Sequence, residues 1–248
     1  MTPLTLGPDA VHLWYDVPDA SQDEVRRRCA QGVVSADEWE QCARFVFDDG
    51  RRECLAARYL VRTVLSYYAD GVPSSAWQFE TNAFGRPRIA GPAGAMGLRF
   101  NLSHAGGMVV CVVSARHEVG VDVEWLGRRT PLHLAASHFA PAERAALDAL
   151  AAAARPRRFL EYWTLKEAYI KARGEGLSLP LDQFAFDTGA PGRPVIHFAD
   201  GFPDTSAAWQ FERLFIGADH MTAVAIRTGG APPVQVVTRP FDFAASGR

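Results

Sequence analysis

Apolar residues follow strand or helix spacing in segments that occur in the same order twice. In the first half, VHLWYDV (residues 11–17) predicts a strand, and RRECLAARYLVRTVLSYYADG predicts a long helix that ends at Gly71. Strand segments follow it, namely WQFETN, the turn FGRPRI, RFNLSH and MVVCVVS. This half therefore reads as a mixed unit of helices and strands.

The second half repeats that order. A helical pattern over residues 140–154 breaks at Pro156, and a further helix is predicted from about Arg158 to Ala172. After it come LDQFAFD, the turn PGRPVI, WQFERLF and the strand MTAVAI. A repeat of about 110 residues predicts an α+β fold of two similar halves, residues 1–118 and 119–248, with two sheets meeting face to edge, unless the short strings coincide by chance. Because clefts between related halves favour ligands, we expect a site near the seam.

The predicted strand GVDVEW, residues 120–125, contains two acids within an apolar run. Side chains alternate along a strand, so Asp122 and Glu124 share one face while Val121 and Val123 share the other with Trp125. Neighbouring carboxylates without a counter-charge raise each other's pKa, so they favour an arginine or a hard divalent cation between them. Magnesium suits such a pair best. The alternative is an exposed strand face with ordinary acids.

The helix around WTLKEAYIKARGEG supplies a third acid. On a helical wheel Trp163, Glu167 and Ile170 share the face that we expect to pack inward, and Lys171 follows Glu167 by one turn. Glu161 points the opposite way and is predicted to be solvated. A surface Glu–Lys pair is the simpler explanation. An inward Glu167 could instead join Asp122 and Glu124 in a magnesium site.

The segment FNLSHAGG, residues 100–107, ends a predicted strand with polar and small residues. The Ser103 hydroxyl and the His104 ring suit phosphate oxygens. Adjacent residues on an extended chain point apart, so the two do not form the hydrogen-bonded nucleophile and base of a hydrolase. An ordinary histidine in a turn is the alternative interpretation.

Composition and charge narrow the class of protein. Of the 248 residues, 48% are hydrophobic and 22% charged, as in a folded soluble protein. A net charge of −2 argues against nucleic-acid coating. Neither a signal peptide nor a run of roughly 18 apolar residues occurs, so we expect a cytoplasmic protein without a membrane span. The four cysteines, which lack CxxC spacing, are predicted to be buried thiols rather than zinc ligands or disulfides: Cys29, Cys42, Cys54 and Cys111.

Only two of the 26 basic residues are lysines, Lys166 and Lys171, and both lie in WTLKEAYIKARGEG. A general preference for arginine accounts for the other 24. Lysine and arginine are not interchangeable where a compact charge must fit, so one of these two lysines is a candidate for chemistry.

The motifs FNLSHA, GVDVEW and YWTLKEAYIKARGEGLSL, in this order, resemble those of the Sfp-type 4′-phosphopantetheinyl transferases. The resemblance also includes FVFDDGRRECLAARYLVR, the FGRP turn and the final WQFE and HMTAVAI, so it extends from about Phe45 to Ile226. WTLKEAYIKA is its most specific segment. Enzymes of this family are pseudo-dimeric α+β proteins of two similar halves, which agrees with the repeat.

The resemblance implies transfer of the 4′-phosphopantetheine arm of coenzyme A to a serine of an acyl, peptidyl or aryl carrier protein, which leaves adenosine 3′,5′-bisphosphate. It implies that Asp122, Glu124 and Glu167 hold Mg²⁺ on the pyrophosphate. Glu167 would deprotonate the carrier serine, directly or through a metal-bound water, and Lys171 would pair with the pyrophosphate. The groups that would contact the phosphates and the adenosine moiety are Ser103, His104 and Arg86.

Two features of this chain depart from the family pattern, and a third position varies among relatives. A basic residue ahead of the first long helix is common in the family, whereas Asp48 and Asp49 stand here, so the 3′-phosphate contact falls to Arg44, Arg51 or Arg52. Arg86 replaces a frequent lysine. Some relatives lack an acid at the position of Glu124, which marks it as the least essential of the three.

Alternative functions are a magnesium-dependent phosphohydrolase or nucleotidyl transferase, a non-catalytic module that binds coenzyme A or a carrier, and a purely structural protein. The first would turn over without a carrier, the second predicts missing acids, and the third leaves Glu167 unexplained. We expect a monomer, because one chain contains both halves. A surface specific for the carrier is predicted between Arg128 and Pro156, while the pathway served (fatty-acid, polyketide or peptide synthesis) cannot be read from the sequence.

Overall fold

A computed structural model describes residues 4–18, 21, 23–92, 97–189 and 192–243. The α-helices are α1 (Asp23–Ala30), α2 (Ala36–Ala43), α3 (Asp48–Ser66), α4 (Ala135–His138), α5 (Pro141–Asp148) and α6 (Arg155–Arg173). The strands are β1 (Ala10–Asp16), β2 (Gln78–Thr81), β3 (Pro87–Gly91), β4 (Arg99–Ala105), β5 (Met108–Ser114), β6 (Val119–Trp125), β7 (Phe184–Asp187), β8 (Val195–Phe198), β9 (Trp209–Ile216), β10 (His220–Arg227) and β11 (Gln235–Pro240). The long helix of the first half ends at Ser66, five residues before the predicted Gly71.

The strand order confirms the predicted duplication. One sheet has the order β11-β1-β5-β4 and the other the order β6-β10-β9. The pairings β1–β5 and β5–β4 are antiparallel, as are the equivalent pairings β6–β10 and β10–β9. Each long helix, α3 or α6, is followed by a two-stranded hairpin, β2–β3 or β7–β8. The first Gly-Arg-Pro string lies at the end of the β2–β3 turn, and the second directly precedes β8.

Three apolar clusters hold the layers together. Helix α3 packs Leu60 and Val64 against the first sheet at β4 and β5, and α6 packs Leu165 and Ala168 against the second sheet at β6 and β10. Valines of β5, β6 and β10, with Val11 and Leu13 of β1, form a third cluster in which the two sheets meet. Burial of these faces is the main source of stability in such a fold.

Strands β4 and β6 form the seam between the halves. The side-chain oxygen of Asn101 accepts a hydrogen bond from the Val121 amide at 3.0 Å, and the Ser103 hydroxyl accepts one from the Val123 amide at 3.4 Å. Side chains of β4 therefore take the place of a continuing backbone ladder, and the end of β4 is fixed beside the acids of β6.

The β2–β3 turn of the first half caps α6 of the second half. Asn82 donates a hydrogen bond to the Gly174 carbonyl, and Arg86 donates one to the Ala172 carbonyl, both at 2.7 Å. Carbonyls at a helix C-terminus lack intrahelical donors and carry partial negative charge, so an arginine stabilises them. Gly174 adopts a positive φ of 72°, as is common where a helix ends.

The last described strand returns to the first half. Strand β11 pairs parallel with β1, and Phe241 and Phe243 pack on Tyr59 of α3. The division at residues 118 and 119 stays a prediction, and β11 crosses it.

Cys42 and Cys54 form a disulfide, with Cα atoms 5.4 Å apart, so the prediction of free thiols is wrong for this pair. The two residues are 12 positions apart on α2 and α3, which pack together, and only that packing brings the sulfur atoms into contact. Cys111 is a buried thiol, as predicted, and Cys29 is a half-buried one. No helix in the described ranges is both long and apolar enough to span a bilayer.

Candidate active site

Strand β6 and helix α6 approach closely at Gly120. A Cβ atom on Gly120 would lie 2.1 Å from the carbonyl oxygen of Ala168 and 2.4 Å from the amide nitrogen of Ala172. Both are backbone atoms, so a larger residue would push the helix away from the strand. This glycine therefore sets the spacing at which the acids of β6 meet the side chains of α6.

Asp122, Lys171 and Ser103 contact one another across three elements. Nζ of Lys171 lies 2.6 Å from Oδ1 of Asp122 and 3.0 Å from Oγ of Ser103. The Ser103 hydroxyl donates to the same Oδ1 at 2.9 Å. Both donors use one oxygen of Asp122, and its other oxygen, Oδ2, is buried and has no hydrogen-bond partner among the residues that the structure describes. The structure thus brings together one residue from each of the three sequence motifs, and their assigned roles stay predictions.

Glu124 is buried on the same face of β6 but is turned to an arginine. Its Oε2 accepts a hydrogen bond from Arg128 at 2.6 Å, and Arg128 keeps 42% of its side chain exposed. Burial raises the pKa of Glu124, Asp122 adds to the rise, and Arg128 opposes it. Arg128 was not among the predicted site residues, and because it lies in the turn after β6 rather than on a helix, its spacing from Glu124 gave no signal.

Glu167 is half-buried on α6 and lies within electrostatic reach of both strand acids. Burial raises its pKa to about 7; Asp122 adds to the rise, Lys171 opposes it, and Glu124 adds a further increment. A carboxyl group that titrates near neutrality can accept and release a proton at physiological pH. The predicted inward orientation of Glu167 agrees with this burial.

Glu161, predicted to be solvated, is in fact buried, and that prediction is wrong. Arg158 contacts its Oε2 at 3.0 Å, and Arg213 of β9 contacts its Oε1. Strand β9 covers this side of α6 and supplies the second arginine, so the helix has no fully solvated face at this point.

Lys166 faces away from the acids. Its ammonium group is fully buried, 2.8 Å from Oε2 of Glu143 in α5, and it donates to the carbonyls of Leu181 and Phe184 at 2.7 and 2.6 Å. It therefore ties α6 to the elements on its outer side. Of the two lysines, it is Lys171 that meets the acid cluster.

His104 is paired with Glu53, which the sequence analysis missed. Nδ1 of His104 lies 2.9 Å from Oε2 of Glu53, and the Gly107 amide donates to Oε1 of the same carboxylate at 2.6 Å. Glu53 is on α3, 51 residues away in sequence, so only the docking of that helix brings it to β4.

Arg44 and Arg51 lie away from the acid cluster. Arg44 is exposed and makes no ion pair with any residue that the structure describes. Arg51 donates to the carbonyls of Phe45 and Val46 and pairs with Asp48 at 2.6 Å. It lines a cavity of about 330 Å³ between α1, α2 and α3. Their assignment to the 3′-phosphate stays a prediction.

Arg86 joins the two halves. Besides its bond to α6, its guanidinium donates to the Val119 carbonyl at 3.2 Å and pairs with Glu118 at 2.8 Å. The same side chain lines a cavity of about 580 Å³ between the halves. Whether it also contacts coenzyme A stays a prediction.

The donor atoms of the acid cluster fit a hard cation. Carboxylate oxygens are the ligands that magnesium prefers, and Oδ2 of Asp122 has no hydrogen-bond partner among the described residues. Burial raises the pKa of Glu124 and of Glu167, and the charge of Asp122 adds to both rises, so a cation at this point would stabilise the ionised acids. Over the described ranges, no three His, Cys, Asp or Glu side chains are arranged to hold a metal ion. Glu124 is instead directed to Arg128.

Comparison with known proteins identifies the family to which the chain belongs. Residues 118–225 match the model described as the 4′-phosphopantetheinyl transferase superfamily, and residues 21–116 match 4′-phosphopantetheinyl transferase, N-terminal. The chain is 32% identical over 232 residues to the 4′-phosphopantetheinyl transferase HetI of Nostoc sp., which covers 93% of each chain. The chain belongs to the 4′-phosphopantetheinyl transferase family.

Two other phosphopantetheinyl transferases are also similar in sequence to this chain. The 4′-phosphopantetheinyl transferase Sfp of Bacillus subtilis (strain 168) is 32% identical over 190 residues, 76% of this chain and 80% of that protein. The L-aminoadipate-semialdehyde dehydrogenase-phosphopantetheinyl transferase of Mus musculus is 25% identical over 235 residues, 88% of this chain and 75% of that protein. The prediction of a 4′-phosphopantetheinyl transferase from three motifs is confirmed.

Proposed function

We propose that this transferase moves the 4′-phosphopantetheine arm of coenzyme A to the hydroxyl of a serine on an apo carrier protein and releases adenosine 3′,5′-bisphosphate. The observation that carries the proposal is the meeting of Glu167, whose pKa is about 7, with the Lys171–Asp122 pair at the seam of the halves. When a hydroxyl attacks a pyrophosphate, a carboxylate can accept the hydroxyl proton, and a fixed ammonium group can stabilise the negative charge that develops on the phosphate.

Lys171 and Ser103 bind the pyrophosphate in this proposal. The Lys171 side chain is 27% exposed while Asp122 orients its ammonium group, so it can face a ligand from a fixed position. The Ser103 hydroxyl donates a hydrogen bond to Asp122 and accepts one from Lys171. These bonds hold the ammonium group of Lys171 at the end of β4. His104, which is 37% exposed, supplies a further contact for phosphate oxygens.

Asp122, Glu124 and Glu167 would hold Mg²⁺, with Glu124 released from Arg128. When bound, the ion would neutralise charge on the phosphate under attack and on the leaving group. Arg128 keeps much of its side chain exposed, so it can return to solvent without leaving a buried charge unpaired.

Glu167 accepts the proton of the carrier serine. Its raised pKa makes it a stronger base than an ordinary glutamate, and Lys171, one turn further along α6, favours its ionised form. In the metal-free site the pKa of about 7 lies near the working pH, where general-base catalysis is fastest. A bound cation would lower that pKa and favour the ionised form that accepts the proton.

The test is the intact mass of apo acyl and peptidyl carrier proteins after incubation with coenzyme A, Mg²⁺ and this transferase. We expect a gain of one phosphopantetheine arm with the wild type and with Glu40→Gln, an exposed control on α2. We expect no gain with Glu167→Gln. Bound coenzyme A without any gain on either class of carrier would indicate a non-catalytic module that binds coenzyme A or a carrier.

We further propose that the enzyme works as a cytoplasmic monomer with its halves divided near residues 118 and 119. The acids of β6, the helix α6 and the serine of β4 all come from one chain, so the site needs no second copy. Size-exclusion chromatography with light scattering measures the molar mass in solution, which we expect to be that of one chain.

A further inference from the structure

One carboxylate of α3 fixes both His104 and the turn that follows it. Oε2 of Glu53 lies 2.9 Å from Nδ1 of His104, and its Oε1 accepts the Gly107 amide hydrogen at 2.6 Å. The Glu53 side chain is only 14% exposed. Burial raises the pKa of Glu53, but hydrogen bonds from His104 and the Gly107 amide outweigh this effect and leave that pKa below its ordinary value. Glu53 is therefore an ionised acceptor at neutral pH.

An ionised carboxylate accepts hydrogen bonds and donates none, so Nδ1 of His104 must carry the hydrogen. The ring orientation is then fixed, and Nε2 is directed away from α3. Nε2 makes no hydrogen bond to any of the residues that the structure describes. In the doubly protonated ring, Nδ1–H donates to Glu53 and Nε2–H is available for an anion.

The second oxygen of Glu53 anchors a turn that only glycine fits. Gly106 and Gly107 have φ values of 55° and 83°, and a Cβ on Gly106 would lie 2.4 Å from Cβ of Trp125. A cavity of about 450 Å³ opens beside this turn, and the charged residues that line it with Glu53 are Asp49 and Arg52. Arg52 is already paired with Asp49 and Asp23, so it does not compete for Glu53.

We propose that Glu53 is a positioning residue for the transfer reaction, one that holds His104 with Nδ1–H towards α3 and so presents Nε2 to a phosphate group of coenzyme A. The identity of the ligand rests on the proposed function, whereas the state of the ring does not. Glu53 itself touches no substrate in this proposal, and it acts through His104.

The state of the ring is tested first, by two-bond ¹H–¹⁵N NMR of the histidine side chains, with His104→Gln to assign the signals. At a pH where the ring is neutral, we expect the Nδ1–H tautomer in the wild type and the commoner Nε2–H tautomer in Glu53→Ala. An Nε2–H tautomer in the wild type would overturn the proposal, whatever the protein catalyses.

The effect on binding is tested by a double-mutant cycle in the KM for coenzyme A. Glu53→Ala should raise that KM about tenfold, as expected for loss of one charge-assisted hydrogen bond, with kcat little changed. Glu53→Gln, which keeps the size and one acceptor, should give a smaller rise. In the His104→Ala background, Glu53→Ala should add nothing, because its effect passes through the ring.

Fully additive effects of the two substitutions, with an unchanged midpoint of urea unfolding, would overturn the positioning role. Glu40→Ala on the exposed side of α2 is the matched control and should leave the KM unchanged. A wild type that shows the Nδ1–H tautomer but modifies no carrier would count against the proposed function alone.

Discussion

Lys166 of α6 and Glu143 of α5 form an ion pair, with Nζ 2.8 Å from Oε2 and each side chain only 1% exposed. Burial lowers the pKa of Lys166 and raises that of Glu143, and the attraction between the two groups opposes both shifts. Four backbone groups complete the network, namely the carbonyls of Leu181 and Phe184 and the amides of Ala140 and Phe186. All three hydrogens of the ammonium group thus have acceptors.

Lys166→Met should lower the free energy of unfolding by about 3–5 kcal/mol, because it leaves the Glu143 carboxylate buried without a counter-charge. Adding Glu143→Gln to this variant should recover part of the loss, since the remaining group is neutral. Urea denaturation of the two single variants and the double variant measures the coupling. A double variant as unstable as the sum of the singles would contradict the ion pair.

Glu167→Gln should stabilise the protein at pH 8 and leave its stability at pH 4 unchanged. The pKa of Glu167 is about 7 when folded against an ordinary 4.5, so the folded state binds more protons between these values. The contribution of Glu167 to stability is full below pH 4.5 and is lost as the pH rises to 7. The gain at pH 8 should be about 1–3 kcal/mol.

Thermal unfolding with EDTA and without coenzyme A measures this difference, with Glu40→Gln as the surface control. An equal effect of Glu167→Gln at both pH values would show that the carboxyl group is not buried as described. Since the same variant should lose transfer activity, the prediction links a gain in stability to a loss of function.

Gly120→Ala should lower both stability and activity. The added Cβ meets backbone atoms of Ala168 and Ala172, which cannot rotate away, so we expect a loss of about 1–3 kcal/mol and a displaced α6. Gly7→Ala is the matched control, because no atom lies within 4 Å of its Cβ position. Chemical denaturation and transfer rate are the measurements, and an unchanged transfer rate in Gly120→Ala would contradict the close approach.

Reduction of the Cys42–Cys54 disulfide should lower the free energy of unfolding by about 3 kcal/mol, because the bond closes a short loop. Alkylation of the denatured protein before reduction should label two cysteines, Cys29 and Cys111. Four labels on unreduced protein, counted by intact mass, would rule the bond out. Cys29→Ser serves as the control and should not change the response to reductant.

The sequence predicted the parts of the site that depend on local periodicity. Alternation along β6 correctly placed Val121 and Val123 in the core between the sheets, with Asp122 and Glu124 on the opposite face. Helical spacing predicted that Glu167 faces inward with Lys171 one turn further on, and in the structure Glu167 lies within electrostatic reach of both acids while Lys171 contacts Asp122. The order of long helix, hairpin and strands, which the sequence pattern showed twice, revealed the duplicated fold.

The sequence could not predict contacts that depend on how distant elements pack. Glu53 lies among arginines and other acids on α3, and nothing local distinguishes it until that helix docks beside His104. Glu161 is buried because Arg213 arrives from β9, 52 positions away. The disulfide joins two helices whose packing sets the distance between Cys42 and Cys54.

Strand β11 lies beside β1, so the first sheet takes strands from both ends of the described chain. A cut between Ser114 and Val119 would yield two fragments, and the second would hold a strand that belongs to the sheet of the first. The first fragment alone would expose the edge of β1, a surface prone to pairing with other chains. When the two fragments are mixed, we expect them to associate, because β11 of the second fragment would pair with β1 of the first.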